Sequence, residues 1–121
     1  MAVLTVQNTV LAGAVITPVA AAGGGDSFTN TSDETTELMV VNGGGGSINV
    51  TIVAQAATVN VPGYGAVPLA SEVIAVAAGA TKRIGPFPAS KFNDANGRVN
   101  VTYSGVTSVT VAAVRLARAG A

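Results

Sequence analysis

Two runs of alternating residues near the C-terminal end place the strongest constraint on the fold. In residues 98–103 two valines and a tyrosine alternate with Arg, Asn and Thr, and residues 109–114 are almost entirely Val and Ala. A period of two in β-branched residues is typical of a strand with one buried face. The connection of five residues between the runs predicts a β-hairpin, and Asn96-Gly97 predicts a tight turn just before it.

The rest of the chain also favours strands over helices. Twenty valines, thirteen threonines and fifteen glycines favour short strands joined by glycine-rich turns. A helical chain this rich in alanine would normally carry many Leu, Glu and Lys residues, and this chain does not. Further strands are predicted over residues 14–20, 26–30, 37–42, 48–53, 58–61, 72–77 and 81–84, with a single helical turn at 89–93.

The pattern of apolar residues also predicts which strands are buried and how they pair. Residues 37–42 lack alternation, so this strand is expected to be central and buried on both faces. Residues 38–41 and 48–53 are expected to pair antiparallel across the glycine loop at 43–46. The predicted fold is therefore all-β: an antiparallel two-sheet β-sandwich, jelly-roll or Ig-like, of about eight short strands. Residues 1–12 are predicted to form an N-terminal arm and 13–121 a single sandwich domain.

The chain contains few residues suited to catalysis or metal binding. It has no cysteine and no histidine, which removes thiolate chemistry, the commonest general base and the commonest transition-metal ligand. Asp33 and Glu34 belong to an expected surface loop with Glu37 just after it, and the Asp94 segment lacks the distal glutamate of a calcium loop. The glycines at 43–46 lack the lysine and following helix of a phosphate loop. We therefore expect neither enzyme activity, nor a cofactor, nor a bound metal.

Charge is sparse and unevenly distributed. Only 10% of residues are charged, against about 25% in typical globular proteins, so much of the surface is expected to contact another molecule. Five of the six acids precede residue 77 and all six basic residues follow it. The basic residues are too dispersed for a nucleic-acid footprint. Residues 10–22 are mostly apolar, but the first nine residues carry no Lys or Arg and Gln7, Asn8 and Thr9 interrupt the apolar region, so a signal peptide is not expected. No run has the length of a membrane span, so neither nucleic acid nor membrane is an expected partner.

Several blocks of sequence resemble small proteins of tailed bacteriophages that are often encoded near the major capsid protein. The blocks are Gly24 to Asn30, Leu38 to Gly44, Ile84 to Pro88, Phe92 to Val99 and Val101 to Val106. The resemblance covers roughly residues 13 to 116 and lies in turns and strands. It implies a head decoration, or cement, protein with a β-sandwich core that is often trimeric and lies where capsid subunits meet.

The resemblance implies a virion protein, made in the host cytoplasm, that binds the outer capsid surface. Its expected partners are the major capsid protein and further copies of itself, and it would stabilise the shell by bridging neighbouring subunits. Candidate capsid or inter-subunit contacts lie in the N-terminal arm and in one basic pair: Val3, Leu4, Val6, Val10, Leu11, Lys82 and Arg83.

Three other functions stay open at this point. A receptor- or carbohydrate-binding domain of a phage fibre or tail would bind saccharide through exposed Tyr64 or Phe87. A secreted adhesin or pilus-like subunit would be cleaved near Ala22. A repeating tail-tube subunit is a further structural alternative.

Overall fold

The chain folds into strands along nearly its whole described length. The computed structural model describes residues 2–30, 35–55, 58–68 and 70–115. Their strands are β1 (Ala2–Val3), β2 (Val6–Asn8), β3 (Val19–Ala20), β4 (Asp26–Thr29), β5 (Thr36–Asn42), β6 (Ile48–Ile52), β7 (Thr58–Val61), β8 (Gly65–Pro68), β9 (Glu72–Val76), β10 (Thr81–Ile84), β11 (Arg98–Tyr103) and β12 (Val109–Arg115). One helical turn, α1 (Ala89–Phe92), lies between β10 and β11. No helix among the described residues is long and apolar enough to cross a membrane.

The strands form two five-stranded sheets and a separate β7–β8 hairpin. The first sheet has the order β1-β4-β11-β6-β9, and the second has the order β10-β5-β12-β2 with β3 also paired to β12. Both sheets contribute to one core: Phe28, Val50 and Val101 face it from the first sheet, and residues such as Leu38 and Val111 face it from the second. Burying each such side chain contributes about 1.5–3 kcal/mol relative to leaving it exposed. The predicted all-β fold is confirmed.

The sheets differ from the prediction in strand number and direction. Twelve strands are present in the described residues instead of about eight, and both sheets are mixed, because β1 pairs parallel to β4 and β2 pairs parallel to β12. Both parallel pairs are formed by one segment, residues 2–8, which passes from the first sheet to the second. The predicted strand at 14–20 is reduced to β3 at its C-terminal end.

Two predicted strand pairings are wrong. Strand β5 lies in the second sheet and β6 in the first, and β11 and β12 are likewise divided between the first and second sheets. Both connections therefore cross between sheets. Strand β5 pairs instead with β10 and β12, while β6 pairs with β11 and β9.

Burial on both faces occurs on β12 and not on β5. Along β5, fully buried residues alternate with half-buried ones. On β12, Ala112 and Val114 are buried in addition to the core-facing Val109, Val111 and Ala113. Because β12 lies between β5 on one side and β2 and β3 on the other, it is the central strand of the second sheet.

Candidate interaction surfaces

The segment predicted as an arm is built into both sheets over residues 2–8. Ala2 N–H donates to the Gly25 carbonyl at 3.1 Å, and Leu4 N–H donates to the Ser27 carbonyl at 2.7 Å. Leu4 is only 7% exposed and belongs to the core, and Val6 packs against that core. These two predicted contact residues therefore pack against the core, Leu4 as a buried residue and Val6 as a half-buried one.

An exposed loop follows this segment, and we call residues 10–16 the apolar loop. Val10, Leu11 and Val15 are 57%, 107% and 92% exposed. The base of the loop is closed by two hydrogen bonds of 2.9 Å, from Gln7 Nε2 to the Thr17 carbonyl and from Thr17 N–H to Gln7 Oε1. The side-chain amide of Gln7 thus mimics a pair of ladder bonds, so the loop projects from a fixed base.

The predicted basic pair lies on the opposite side of the second sheet. Lys82 and Arg83 are both on the edge strand β10, separated from β2 and β3 by β5 and β12. Arg83 forms an ion pair with Glu37, so part of the predicted free positive charge is neutralised within the chain. Lys82 is paired with the core residue Val40 and is itself exposed, so its charge lies on an open sheet edge. Charged side chains, especially lysine, on edge strands discourage unwanted strand pairing.

Beside β10 the two sheets separate and leave an apolar opening that we call the edge cleft. It has a volume of about 300 Å³ and lies between the edge strands β9 and β10. Its lining consists of Ile52, Glu72, Ile74, Ile84, Gly85, Pro86, Phe87, Pro88, Lys91 and Phe92. Apolar pockets of roughly this size, with a few polar groups, are the usual form of binding sites.

The aromatic residues of the edge cleft are held firmly. The ring centroid of Phe87 is 5.5 Å from that of Phe28 and 6.1 Å from that of Phe92. Asn30, itself buried, donates from Nδ2 to the Phe87 carbonyl at 3.0 Å and to Asn93 Oδ1 at 2.8 Å. At the rim, Lys91 Nζ lies 4.9 Å from the Phe92 ring centroid. These contacts fix the positions of Phe87 and Phe92 in the wall of the cleft.

A second cavity, of about 350 Å³, lies near the N-terminal strands and contains one ionisable side chain in its lining, Asp26. Asp26 is fully buried, and its Oδ2 accepts hydrogen bonds from Tyr103 Oη at 2.8 Å and from Ala22 N–H at 3.2 Å. Burial, and secondarily the hydrogen bond to Asp26, raises the pKa of Tyr103. This pair ties β4 to β11 and to the turn before β4.

The acidic segments considered as metal sites do not form a cluster of metal-binding side chains within the described residues. Asp94 accepts hydrogen bonds from Asn96 N–H at 2.8 Å, Arg98 N–H at 3.1 Å and Asn100 Nδ2 at 3.0 Å. The bond from Asn100, followed by the others, lowers the pKa of the Asp94 carboxyl. Its oxygens thus close the turn before β11. Asp33 and Glu34 lie outside the described residues, within which no three metal-binding side chains cluster.

Most of the aromatic residues belong to the core, as predicted. Phe28, Phe87 and Phe92 are buried, so Phe87 is not the exposed ring that the carbohydrate-binding alternative assumed. Tyr64, 84% exposed at the tip of the β7–β8 hairpin, stays available for contact.

Sequence reasoning missed the edge cleft and the buried amide of Asn42. Asn42 donates from Nδ2 to the carbonyls of Gly46 and Val76 at 2.8 and 3.0 Å, and its Oδ1 accepts from Gly44 N–H at 3.1 Å. It thereby fixes the glycine loop against β9. An asparagine directly before four glycines was an available signal for this role.

Comparisons of the chain with models of protein families, with characterised proteins and with solved structures found no match.

Proposed function

We propose that this protein is a head decoration protein of a tailed bacteriophage. It binds the outer surface of the capsid and stabilises the shell by bridging neighbouring major capsid subunits. The observation that carries the proposal is the exposed, uncharged apolar loop on a β-sandwich with few surface charges. The sequence blocks that resemble phage decoration proteins support the same role.

The surface explains why such a chain would function in contact with other proteins. Exposed apolar patches on small domains mark interaction surfaces, because burying them against a partner removes them from water. Residues 1–25 contain no charged side chain, so contacts made by the apolar loop would depend little on salt. Val3, Val10 and Leu11 are the exposed members of the predicted contact set on this side.

The basic side of the domain would make a different contact. Arg83 is already paired with Glu37, whereas no ion pair of Lys82 is found among the described residues. Of the two basic residues, Lys82 is therefore the one that we expect to form an ion pair with an acidic group on the capsid. A charged contact at the rim of an interface contributes mainly to orientation and to the rate of association.

Binding would stabilise the capsid by mass action. A protein that binds the assembled shell and not the free subunits shifts the equilibrium toward the shell. Many copies on a lattice of capsid subunits, each making more than one contact, would add avidity. This role requires no catalysis and no cofactor, and it places the protein on the virion after synthesis in the host cytoplasm.

The test is the copy number of the protein on purified particles of the phage that encodes it. Quantitative mass spectrometry of heads separated from tails should find the protein in simple proportion to the major capsid protein. A few copies per particle, or copies found only with tails, would contradict the proposal and favour a tail-tube or receptor-binding role.

One observation favours a second function, carbohydrate or receptor binding. Tyr64 projects at the end of a hairpin and is largely exposed, as a sugar-stacking ring would be. Saccharide binding that is lost in Tyr64→Ala would support this alternative. The adhesin alternative is less consistent with the fold, because cleavage near Ala22 would remove β1, β2 and β3, which pair with both sheets.

A further inference from the structure

We propose that Asn96 is a site of spontaneous chemical modification, at which the side-chain amide is converted to aspartate and isoaspartate. Asn-Gly occurs twice in the chain, at Asn42-Gly43 and at Asn96-Gly97. Asparagine is a thermolabile residue, and it is most reactive before glycine, because glycine has no Cβ beside the nitrogen that attacks. The fold leaves the second pair open to this reaction and closes the first. The proposal is independent of the role on a capsid.

The reaction needs only the two residues and water. The backbone nitrogen of Gly97 attacks Cγ of Asn96 and forms a new N–Cγ bond, and this nitrogen loses its proton to hydroxide. The bond between Cγ and Nδ2 breaks, and Nδ2 takes up a proton from water and leaves as ammonia. Water then opens the cyclic succinimide, at Cγ to give aspartate or at the backbone carbonyl to give isoaspartate. No oxidant, reductant or cofactor is consumed.

The structure leaves the Asn96 side chain and the attacking nitrogen accessible. Asn96 is exposed in the turn between α1 and β11, and its side chain forms no hydrogen bond within the described residues. A Cβ at Gly97 would have no atom within 4 Å, so space is open around this residue. The Gly97 N–H is held by one hydrogen bond, to the Asp94 carbonyl at 3.0 Å. Because this bond belongs to a surface turn, local opening releases it without unfolding the domain.

The same pair of residue types at Asn42 is closed by its surroundings. Asn42 is 1% exposed, and its amide forms three hydrogen bonds with backbone groups. The Gly43 N–H donates to the Ser108 carbonyl at 2.9 Å, and a Cβ at Gly43 would lie 3.0 Å from that oxygen. Attack at Asn42 therefore requires four hydrogen bonds to break and water to enter a buried site.

Asp94 limits how often the Asn96 turn opens. Its Oδ1 accepts hydrogen bonds from the N–H of Asn96 at 2.8 Å and of Arg98 at 3.1 Å. These bonds hold the backbone on both sides of the Gly97 nitrogen. The negative charge of the carboxylate also opposes the loss of the Gly97 proton. Removing this carboxylate should therefore make the modification of Asn96 faster.

The two products should affect the fold differently. Isoaspartate adds a carbon atom to the backbone of the turn, where the Gly97 carbonyl accepts from Asn30 N–H at 3.0 Å. Asn30 in turn holds the Phe87 carbonyl through its side-chain amide. Isoaspartate should therefore lower the urea midpoint of the domain, whereas Asn96→Asp, which keeps the backbone unchanged, should unfold like wild type. Equal midpoints for the isoaspartate fraction and Asn96→Asp would contradict this effect.

The first test is incubation of the full chain in warm, mildly alkaline buffer, followed by peptide mapping with mass spectrometry. Trypsin releases residues 92–98, which contain Asn96, and a glutamate-specific protease releases residues 38–72, which contain Asn42. The mass gain should appear at Asn96, and its rate should rise with pH. Conversion of Asn42 should be at least about 100-fold slower, because three more hydrogen bonds must break. Equal rates at the two sites, or no faster conversion at Asn96 than at asparagines not followed by glycine, would overturn the proposal.

The second test separates the effect of the fold from that of the local sequence. In concentrated urea, Asn42 and Asn96 should be converted at similar rates, because both precede glycine. If Asn42 stayed slow in urea, its protection could not be assigned to the fold and the proposal would fail. In the folded protein, Asp94→Ala should increase the rate at Asn96 at least about threefold. Asp94→Asn, which keeps an acceptor oxygen, should give an intermediate rate, and an unchanged rate in Asp94→Ala would refute the role of Asp94.

Discussion

Replacing Leu4 by alanine tests whether the N-terminal segment is part of the sandwich or a detachable arm. If residues 1–12 were an arm, the substitution would leave the free energy of unfolding unchanged. In the structure Leu4 lies between the two sheets as a member of the core, just after β1 and just before β2. The structure therefore predicts a loss of stability.

The expected loss follows from the burial of Leu4 and from its surroundings. Leu→Ala substitutions in cores cost about 2–5 kcal/mol, and the cost rises with the volume of the cavity that remains. Leu4 also lines the open cavity that contains Asp26, so water can enter the space left by the missing atoms. This reduces the cavity contribution and places the expected loss at about 2–3 kcal/mol. For a chain of this size, Tm should fall by roughly 10 °C.

Urea unfolding followed by circular dichroism measures this difference directly. Leu11→Ala is the matched control, because the same substitution at a fully exposed leucine should change stability by less than about 0.5 kcal/mol. Equal midpoints for Leu4→Ala and wild type would refute the structural role of the segment. The same reasoning predicts that deleting residues 1–8 unfolds the domain.

Three further predictions concern polar and backbone positions. Tyr103→Phe should cost about 2 kcal/mol at neutral pH by removing the donor to Asp26. Because folding raises the pKa of Tyr103, wild-type stability should be fully present below about pH 10 and fall above it, and the variant should lack this contribution. Asn42→Ala should cost about 3 kcal/mol through three lost hydrogen bonds. Gly85→Ala should cost more than about 1 kcal/mol, because φ is +135° and its Cβ would lie 3.1 Å from Glu37 Cα.

Denaturant unfolding of matched variants checks all three. Tyr64→Phe and Asn49→Ala change exposed residues of the same types, and Gly45→Ala adds a Cβ where no atom lies within 4 Å. Each control should stay within about 0.5 kcal/mol of wild type. A control that loses as much stability as its partner would show that the named contact is not the cause. If the stability of Tyr103→Phe fell above pH 10 as steeply as that of wild type, the fall could not be assigned to Tyr103.

Local pattern predicted most of the secondary structure. Strand β10 matches its predicted range, β6, β9 and α1 each differ by one residue, and β4 also ends one residue early. The predicted strand at 14–20 is mostly loop. Residues 10–18 connect β2, which pairs with residues 113–115 of β12, to β3, which pairs with residues 110 and 111 of the same strand. Apolar composition could not distinguish this exposed loop from a buried strand.

Which residues form the candidate surfaces depends on burial and on contacts between distant segments, which the sequence does not show. Leu4 and Leu11 are both leucines in a short uncharged segment, yet one is in the core and the other is fully exposed. Lys82 and Arg83 are adjacent, but only Arg83 lies beside Glu37, which is distant in sequence. The edge cleft combines residues from β6, β9, β10 and α1, so it exists only after both sheets have packed.

The sequence by itself determined that this chain is an all-β domain and where most of its strands begin and end. Alternation and glycine-rich turns are local properties, and they act within a few residues. Only the tertiary structure decided that β5 and β6, and β11 and β12, belong to opposite sheets. The next strand along the chain can lie beside a half-buried strand in the same sheet or across the core in the other sheet. The half-buried strand buries the same apolar face in both arrangements. Alternation therefore does not distinguish a hairpin from a connection that crosses between sheets.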